Sequence, residues 1–315
     1  MKLRKGVTKG KRVFNATKES RPYNEIFQEY YKSSKIQGKA EATLKTYIHH
    51  HSYFLKFMGE DVQCHEITKE RVEEYVVYLQ EQNLSPVSVN SYLRNISPIL
   101  KYGMKKELIE DFKIPVVIEQ ETFKEIYTPE ELTRLLKRPS KKDFVTYRTW
   151  AMIWVFATTG IRAKELEQLR VKSINLVDRV IATVHTKNKK ARYLPISSEL
   201  CEVLTIWLKI REGEGDDFLF CSVYGEVLAR STMQKAMSNY FKERKVYKTP
   251  SFHLFRHTFI TNAVNRNVNP LILKRITGHS SNKQLNRYYN ACMSDIVEVI
   301  DDIAPHIGIG RKKEF

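Results

Sequence analysis

The chain has 315 residues, 42% of them hydrophobic and 28% charged, enough for two domains or one large one with ordinary cores. Its 53 Lys and Arg outnumber 36 Asp and Glu, a formal net charge of +17, which argues against an enzyme of small neutral substrates and for a polyanionic partner, nucleic acid first. An anionic membrane is the rival partner, but the apolar run at 150–157 is far too short to span a bilayer, and the basic N-terminus lacks the apolar stretch of a secretory signal. Cys64, Cys201, Cys221 and Cys292 form neither a CxxC pair nor a dense framework, the usage expected of free thiols in a reducing cytoplasm.

Residues 1–20 carry Lys2, Arg4, Lys5, Lys9, Lys11, Arg12 and Lys18 with little apolar content, so they read as a basic flexible tail, either a solvated segment or a sequence-blind phosphate-binding arm. Residues 21–112 are helical in pattern. Ile26, Tyr30 and Tyr31 mark one helix, and Leu44, Tyr47, Phe54, Leu55 and Met58 stripe the next. Thr68 caps a third with Val72, Tyr75, Val76 and Leu79 inward, and Ser85-Pro86 opens a fourth with Val89, Leu93, Ile96 and Leu100 at helical spacing. Pro98 should kink or break that fourth helix. The result is a small all-α domain. Lys45, His49, His50, Arg94, Lys101, Lys105 and Lys106 are expected on its surface, as a cationic patch or an ordinary solvated face. Consecutive side chains in the triplet His49-His50-His51 diverge by about 100°, which argues against one shared metal ion and for polar residues facing DNA or water.

Residues 113–127 contain Pro115 and have no helical period, so they read as an interdomain linker. The second domain, 128–315, opens at Thr128-Pro129-Glu130-Glu131, a cap, proline and capping-box acid together. A helix at 147–159 is apolar on most sides and stops at Gly160, and Arg162 then precedes the short helical run AKELEQL. Strands at 180–184 and 192–196 flank a basic turn, a β-hairpin with Lys187, Lys189 and Lys190 near its tip, and 218–220 offers a third short strand. Helices at 199–211 and 232–244 lead to the stretch HLFRHTFITNAVNRNVNPLILKRITGHSSNKQLNRYY, which concentrates cations, proton-transfer groups and tyrosines. His253 and Arg256 lie three apart on nearly one helix face. Asn269-Pro270 opens a helix that Gly278 closes, placing His279 at a helix end or tight turn. Tyr288 and Tyr289 diverge by about 100° on a helix, so only one faces a given site. Ser294 can cap a last helix striped by Ile296, Val297, Ile300 and Ile303, a face for packing within the subunit or for docking on a neighbour.

Two Arg, a Lys, two His and a Tyr without a clear metal site suit attack on a phosphodiester. Arg162 and Arg256 can clamp the non-bridging oxygens of a transition state that gains negative charge there. A tyrosine oxygen can attack phosphorus and conserve the bond energy as phosphotyrosine, Lys187 can protonate the departing sugar oxygen, His253 can act as base or acid, and His279 can donate to phosphate. Each residue also has a plainer role: hairpin lysines are usually solvated, and an arginine after a glycine is usually on the surface.

The motifs TGIRAKEL at 159–166, TKNKKARYLPI at 186–196, HLFRHTF at 253–259, TGH at 277–279 and RYY at 287–289 resemble, in order, those of the tyrosine recombinases, the lambda-integrase family. TLKTYIHHHSYFLKFM resembles that family's core-binding domain more loosely. The resemblance implies a mainly α chain, an all-helical core-binding domain followed by a mixed α/β catalytic domain with a small antiparallel sheet. It implies a site-specific recombinase that cuts and rejoins DNA through a 3′-phosphotyrosine without cofactor or metal, a mobile-element integrase first, with dimer resolution and segment inversion as open alternatives. Arg162, Lys187, His253, Arg256, His279 and Tyr288 match the catalytic positions, and Glu165 a supporting acid; Tyr288, nine residues beyond His279, matches the nucleophile better than Tyr289, and Lys189 and Lys190 match less well than Lys187. Thr277 stands where Leu is frequent, a departure not expected to affect chemistry. The implied partners are duplex recombination sites clamped between two domains and held by a homo-tetramer, in the cytoplasm at the nucleoid. A type IB-like topoisomerase, a regulator that has lost catalysis and a metal-dependent relaxase are the competing functions.

Overall fold

The computed structural model describes residues 21–119, 125–141, 143–184 and 191–278, the side chains of Val184 and Ala191 excepted. The tail at 1–20, Lys187, Lys189, Lys190, Cys292 and all residues from His279 on, with Tyr288, Tyr289 and the helix expected after Ser294, lie outside the described residues. The chain divides into two compact units, Met1–Thr122 and Phe123–Phe315.

The first unit contains α1 (Tyr23–Ile36), α2 (Glu41–Met58), α3 (Lys69–Glu81) and α4 (Pro86–Lys105). Local chemistry sets two of the starts: Thr68 Oγ1 accepts from the Arg71 amide and Ser85 Oγ from the Ser88 amide, at 3.3 Å each, with Pro86 at the first helical position. Ile26, Phe54, Val72, Tyr75, Leu79, Val89, Ile96, Ile99 and Leu100 are fully buried and form the centre of its core. Of the expected kink or break, the break does not occur: α4 runs on through Pro98. An internal proline costs about 3 kcal/mol, but burying a side chain such as Ile96, Ile99 or Leu100 contributes roughly 1.5–3 kcal/mol, so packing on both sides of the proline outweighs it.

The histidine triplet divides differently from the expectation of polar residues facing DNA or water. Only His49 is exposed, while His50 and His51 are buried. His50 Nδ1 donates to the Thr46 carbonyl at 2.9 Å, and its ring meets Tyr92 edge-on at 4.3 Å. His51 stacks on Phe27 at 3.6 Å, and its Nε2 donates to Asn24 Oδ1 at 3.1 Å. Thr46 on the same helix and Tyr92, Phe27 and Asn24 on other helices make burial tolerable for these rings. The expected surface at Lys45, Arg94, Lys101, Lys105 and Lys106 is exposed. The segment that follows α4 is attached to this unit: Ile114 and Val117 pack against its core, and Asn90 brackets Val117, donating to its carbonyl at 2.8 Å and accepting from its amide at 2.9 Å.

The second unit contains α5 (Pro129–Leu136), α6 (Phe144–Thr159), α7 (Ala163–Glu167), β1 (Ile174–Asn175), β2 (Val180–Val184), β3 (Ala191–Pro195), α8 (Ser198–Arg211), α9 (Arg230–Glu243), α10 (Phe252–Asn265) and α11 (Pro270–Thr277). Its axis is α6, capped by Asp143 and packed against α5, α8, α9 and α10. The strands form an antiparallel sheet in the order β1-β2-β3, with Val180 opposite Pro195 and Val184 opposite Ala191. The sheet's third strand is β1, not the expected 218–220. That run makes only an isolated bridge, Arg170 with Phe218, and the next residue, Cys221, makes another with Val227. Its carbonyls are met by side chains of α8 instead, Arg211 Nε to Phe218 and Trp207 Nε1 to Leu219, so the apolar residues fill the core without a ladder.

Burial pushes the His51 imidazole down to about 4 from an ordinary 6.5. The unfolded chain therefore takes up this proton first, and the stability contributed by a neutral buried ring is complete above pH 6.5 and lost as pH falls toward 4. His51→Phe keeps the stack on Phe27 and removes the titration. Denaturant unfolding at pH 7 and pH 4.5 should show an acid loss smaller by about 2 kcal/mol in the variant; equal losses in the two proteins would reject His51 as a source of acid sensitivity.

Candidate active site

The site is built where α6 ends. Gly160 takes a left-handed conformation, φ 58°, and a Cβ there would lie 2.6 Å from the Phe259 ring, so both backbone and packing require glycine. The turn places Arg162 at the N-cap of α7, where its amide donates to Glu165 Oε2 at 3.0 Å and its guanidinium Nη1 to Oε1 at 3.1 Å. Glu165 is buried and also accepts from Arg192 Nη2, on β3. Burial alone would raise its carboxyl, but Arg192, then the Arg162 amide and guanidinium, hold it below the ordinary carboxylate range.

The free end of α11 completes the cluster. Arg192 Nη1 donates to the Ile276 carbonyl at 2.5 Å, Arg256 Nη2 to Thr277 at 2.6 Å and Arg162 Nη2 to Gly278 at 2.8 Å. Three guanidinium groups from three elements thus meet three consecutive carbonyls at a helix end. Those carbonyls lack intrahelical partners and carry the negative end of the helix dipole, which is why cations settle there. Arg256 Nη1 also donates to the Gly160 carbonyl at 2.6 Å, joining the ends of α6 and α11. Among the described residues, three guanidinium charges face the one carboxylate of Glu165, a local excess of positive charge. A third of the Arg162 side chain is exposed, whereas Arg192 and Arg256 are largely buried.

Of the residues singled out in the sequence, Arg162, Glu165 and Arg256 are brought together. His253 stands one helical turn before Arg256 on α10, exposed where Arg256 is buried. Lys187, His279 and Tyr288 lie outside the described residues, although β2 and β3 bracket the first and Gly278 immediately precedes the second. Arg192 was not anticipated. Its signal was the two-residue alternation of β3, which sets Arg192 on the face of buried Leu194 while Tyr193 is 65% exposed. Among the described residues no group of three or more His, Cys, Asp or Glu side chains could hold a metal ion, and no helix is long and apolar enough to cross a membrane.

Solved structures share this fold. The Tn1549 transposon integrase in complex with transposon right end DNA matches with a TM-score of 0.74 and 18% identity over 90% of this chain and 100% of that one. A lambda integrase dimer bound to a COC′ core site matches with a TM-score of 0.67 and 16% identity over 94% of this chain and 81% of that one. The phage integrase family model matches residues 125–294, and the phage integrase SAM-like domain matches residues 23–122. The chain therefore belongs to the phage integrase family and is a tyrosine recombinase. The tyrosine recombinase XerD of Staphylococcus haemolyticus (strain JCSC1435) is 22% identical to it, over 89% of this chain and 98% of that protein, and XerD of Staphylococcus aureus (strain Mu50 / ATCC 700699) matches to the same extent.

Gly278 tests the cluster's geometry. Its φ is 64°, and an added Cβ would lie 3.0 Å from Arg192 Nη1 and 3.3 Å from Arg162 Nη1. Gly278→Ala should cost about 1–2 kcal/mol in denaturant unfolding of the second unit through left-handed backbone strain. An unchanged midpoint would show that α11 can end without this turn.

Proposed function

We propose that the chain is a mobile-element integrase that exchanges strands between specific duplex DNA sites through a 3′-phosphotyrosine intermediate. The observation that carries this reading is the convergence of Arg162, Arg192 and Arg256 on the last carbonyls of α11, directly before His279. A net positive, partly desolvated cluster favours a phosphate that gains charge in its transition state.

In the proposed reaction Tyr288 Oη attacks the scissile phosphorus, with His253 taking the phenolic proton. The P–O5′ bond breaks as the P–O(tyrosine) bond forms, Lys187 protonates the departing 5′ oxygen, and Arg162, Arg256 and His279 hold the non-bridging oxygens. Glu165 orients Arg162. Attack by a 5′-hydroxyl of the partner strand reverses these steps, so strands are rejoined without a cofactor or metal. Four copies would assemble on two duplex DNA sites in the cytoplasm. The Tn1549 and lambda relatives captured with transposon-end and core-site DNA support duplex recombination sites as the partner.

Covalent capture from a randomised pool of nicked suicide duplexes, followed by peptide mapping, tests the chemistry. Tyr288→Phe should keep DNA binding and lose the adduct, while Tyr289→Phe should keep both. The reverse pattern moves the nucleophile by one residue, and an adduct in the double variant rejects tyrosine chemistry.

The basic tail gives a second test. Deleting residues 1–20, with their seven Lys and Arg, should flatten the dependence of log affinity on log salt by about 0.9 for each phosphate that the tail neutralises. A slope identical to that of the full chain would rule out the phosphate-binding arm.

A further inference from the structure

Arg192 occupies a place that stability alone does not explain. It carries a charge in a largely buried position, and its Nε has no hydrogen-bond partner among the described residues. A buried unpartnered donor costs about 1–3 kcal/mol, and apolar residues of similar volume often replace buried ion pairs without loss. What arginine supplies here is direction: one arm of its planar fork reaches Glu165 while the other reaches the Ile276 carbonyl. Its root is equally fixed, because Arg192 is paired with Thr183 in the register of β2 and β3.

We propose that Arg192 is a positioning residue for strand cleavage: it ties the end of α11 to the Glu165 carboxylate, and so sets both the start of the segment bearing His279 and the aim of Arg162. The coupling is physical. Glu165 is shared between Arg162 and Arg192, so removing one guanidinium alters the hold on the other. Arg192 Nη1 also lies 3.0 Å from where a Cβ on Gly278 would be, so its guanidinium packs against the turn at Gly278, the residue before His279. The role rests on the recombination chemistry proposed above, in which Arg162 and His279 hold the phosphate.

The test uses the full chain with Arg192→Lys and Arg192→Ala. Lysine keeps the charge and much of the stem but cannot reach Glu165 and Ile276 with a rigid fork. Hydrogen exchange in the free protein should quicken at Lys274 to Gly278 in Arg192→Lys while α6 and α8 stay protected. On a suicide duplex captured by the unaltered chain, single-turnover cleavage should fall by about tenfold to a hundredfold with DNA affinity little changed. In Arg192→Ala the acid limb of cleavage should move to higher pH, since Glu165 loses the cation that most lowers its carboxyl. If Arg192→Ala does not fold, Arg192→Lys decides. Cleavage by Arg192→Lys at the unaltered rate, or exchange that quickens uniformly through the second unit, would overturn the proposal. A failure of the unaltered chain to form any adduct would instead sink the recombination reading, while unchanged exchange at the end of α11 would independently remove the anchor.

Discussion

The second unit depends on how the end of one short helix is satisfied. α11 has eight residues, too few to hold itself together in water. Its N-terminus is set locally, by Asn269 accepting from the Leu271 amide at 2.8 Å and by Pro270 at the first helical position. Its C-terminus is set by long-range donors, the guanidinium groups of Arg192, Arg256 and Arg162 on successive carbonyls. Hydrogen bonds to charged groups contribute about 1.5–3 kcal/mol each, so this cluster competes with the core in local importance. It also links β3, α10 and the turn after α6 to a single point, a constraint that a purely apolar surface would not aim so narrowly.

Bringing like charges together requires an opposing term. At an effective dielectric near 20, two unit charges about 4 Å apart repel by roughly 4 kcal/mol. Glu165 supplies the opposing charge to two of the arginines, and the negative end of the α11 dipole supplies a fractional one. Arg256 has a second anchor in the Gly160 carbonyl. The fully buried part of α6, Ala151 through Ile153 with Val155 and Phe156, holds that carbonyl in place. Core packing is thus transmitted to the cluster through one backbone oxygen.

Local rules made much of this legible. Caps at Thr68, Ser85, Thr128 and Asn269 and glycine stops at 160 and 278 follow from side-chain chemistry within a few residues, and the structure has them all. Arg162 and Arg256 were readable as candidates from their residue type and motifs, and Glu165 through the family resemblance, but the meeting of the arginines at Ile276 to Gly278 was not, because it joins positions far apart in sequence. The misses share that cause. Pro98 is tolerated because tertiary burial exceeds a local penalty, and His50 and His51 are inside because Thr46, Tyr92, Phe27 and Asn24 receive them. The run 218–220 has strand composition but finds its donors on α8. Arg192 was visible as a basic residue on a strand, while its burial needed the alternation of β3 to be taken seriously against the usual exposure of arginine.

The arrangement also bears on why such a site would be assembled before DNA arrives. Guanidinium groups that already donate to backbone carbonyls have fixed planes, so in the proposed function a phosphate entering the cluster would meet oriented dipoles and charges rather than mobile side chains. Among the described residues the same fixation sets three guanidinium groups, Arg162, Arg192 and Arg256, beside the single carboxylate of Glu165. Repulsion among these like charges costs stability locally, and in the proposed function a bound phosphate would offset it. A neutral residue at 192 would ease that repulsion but would release both Glu165 and the Ile276 carbonyl. Stability and function pull in opposite directions at this position, the pattern expected where a buried charge is retained for its geometry.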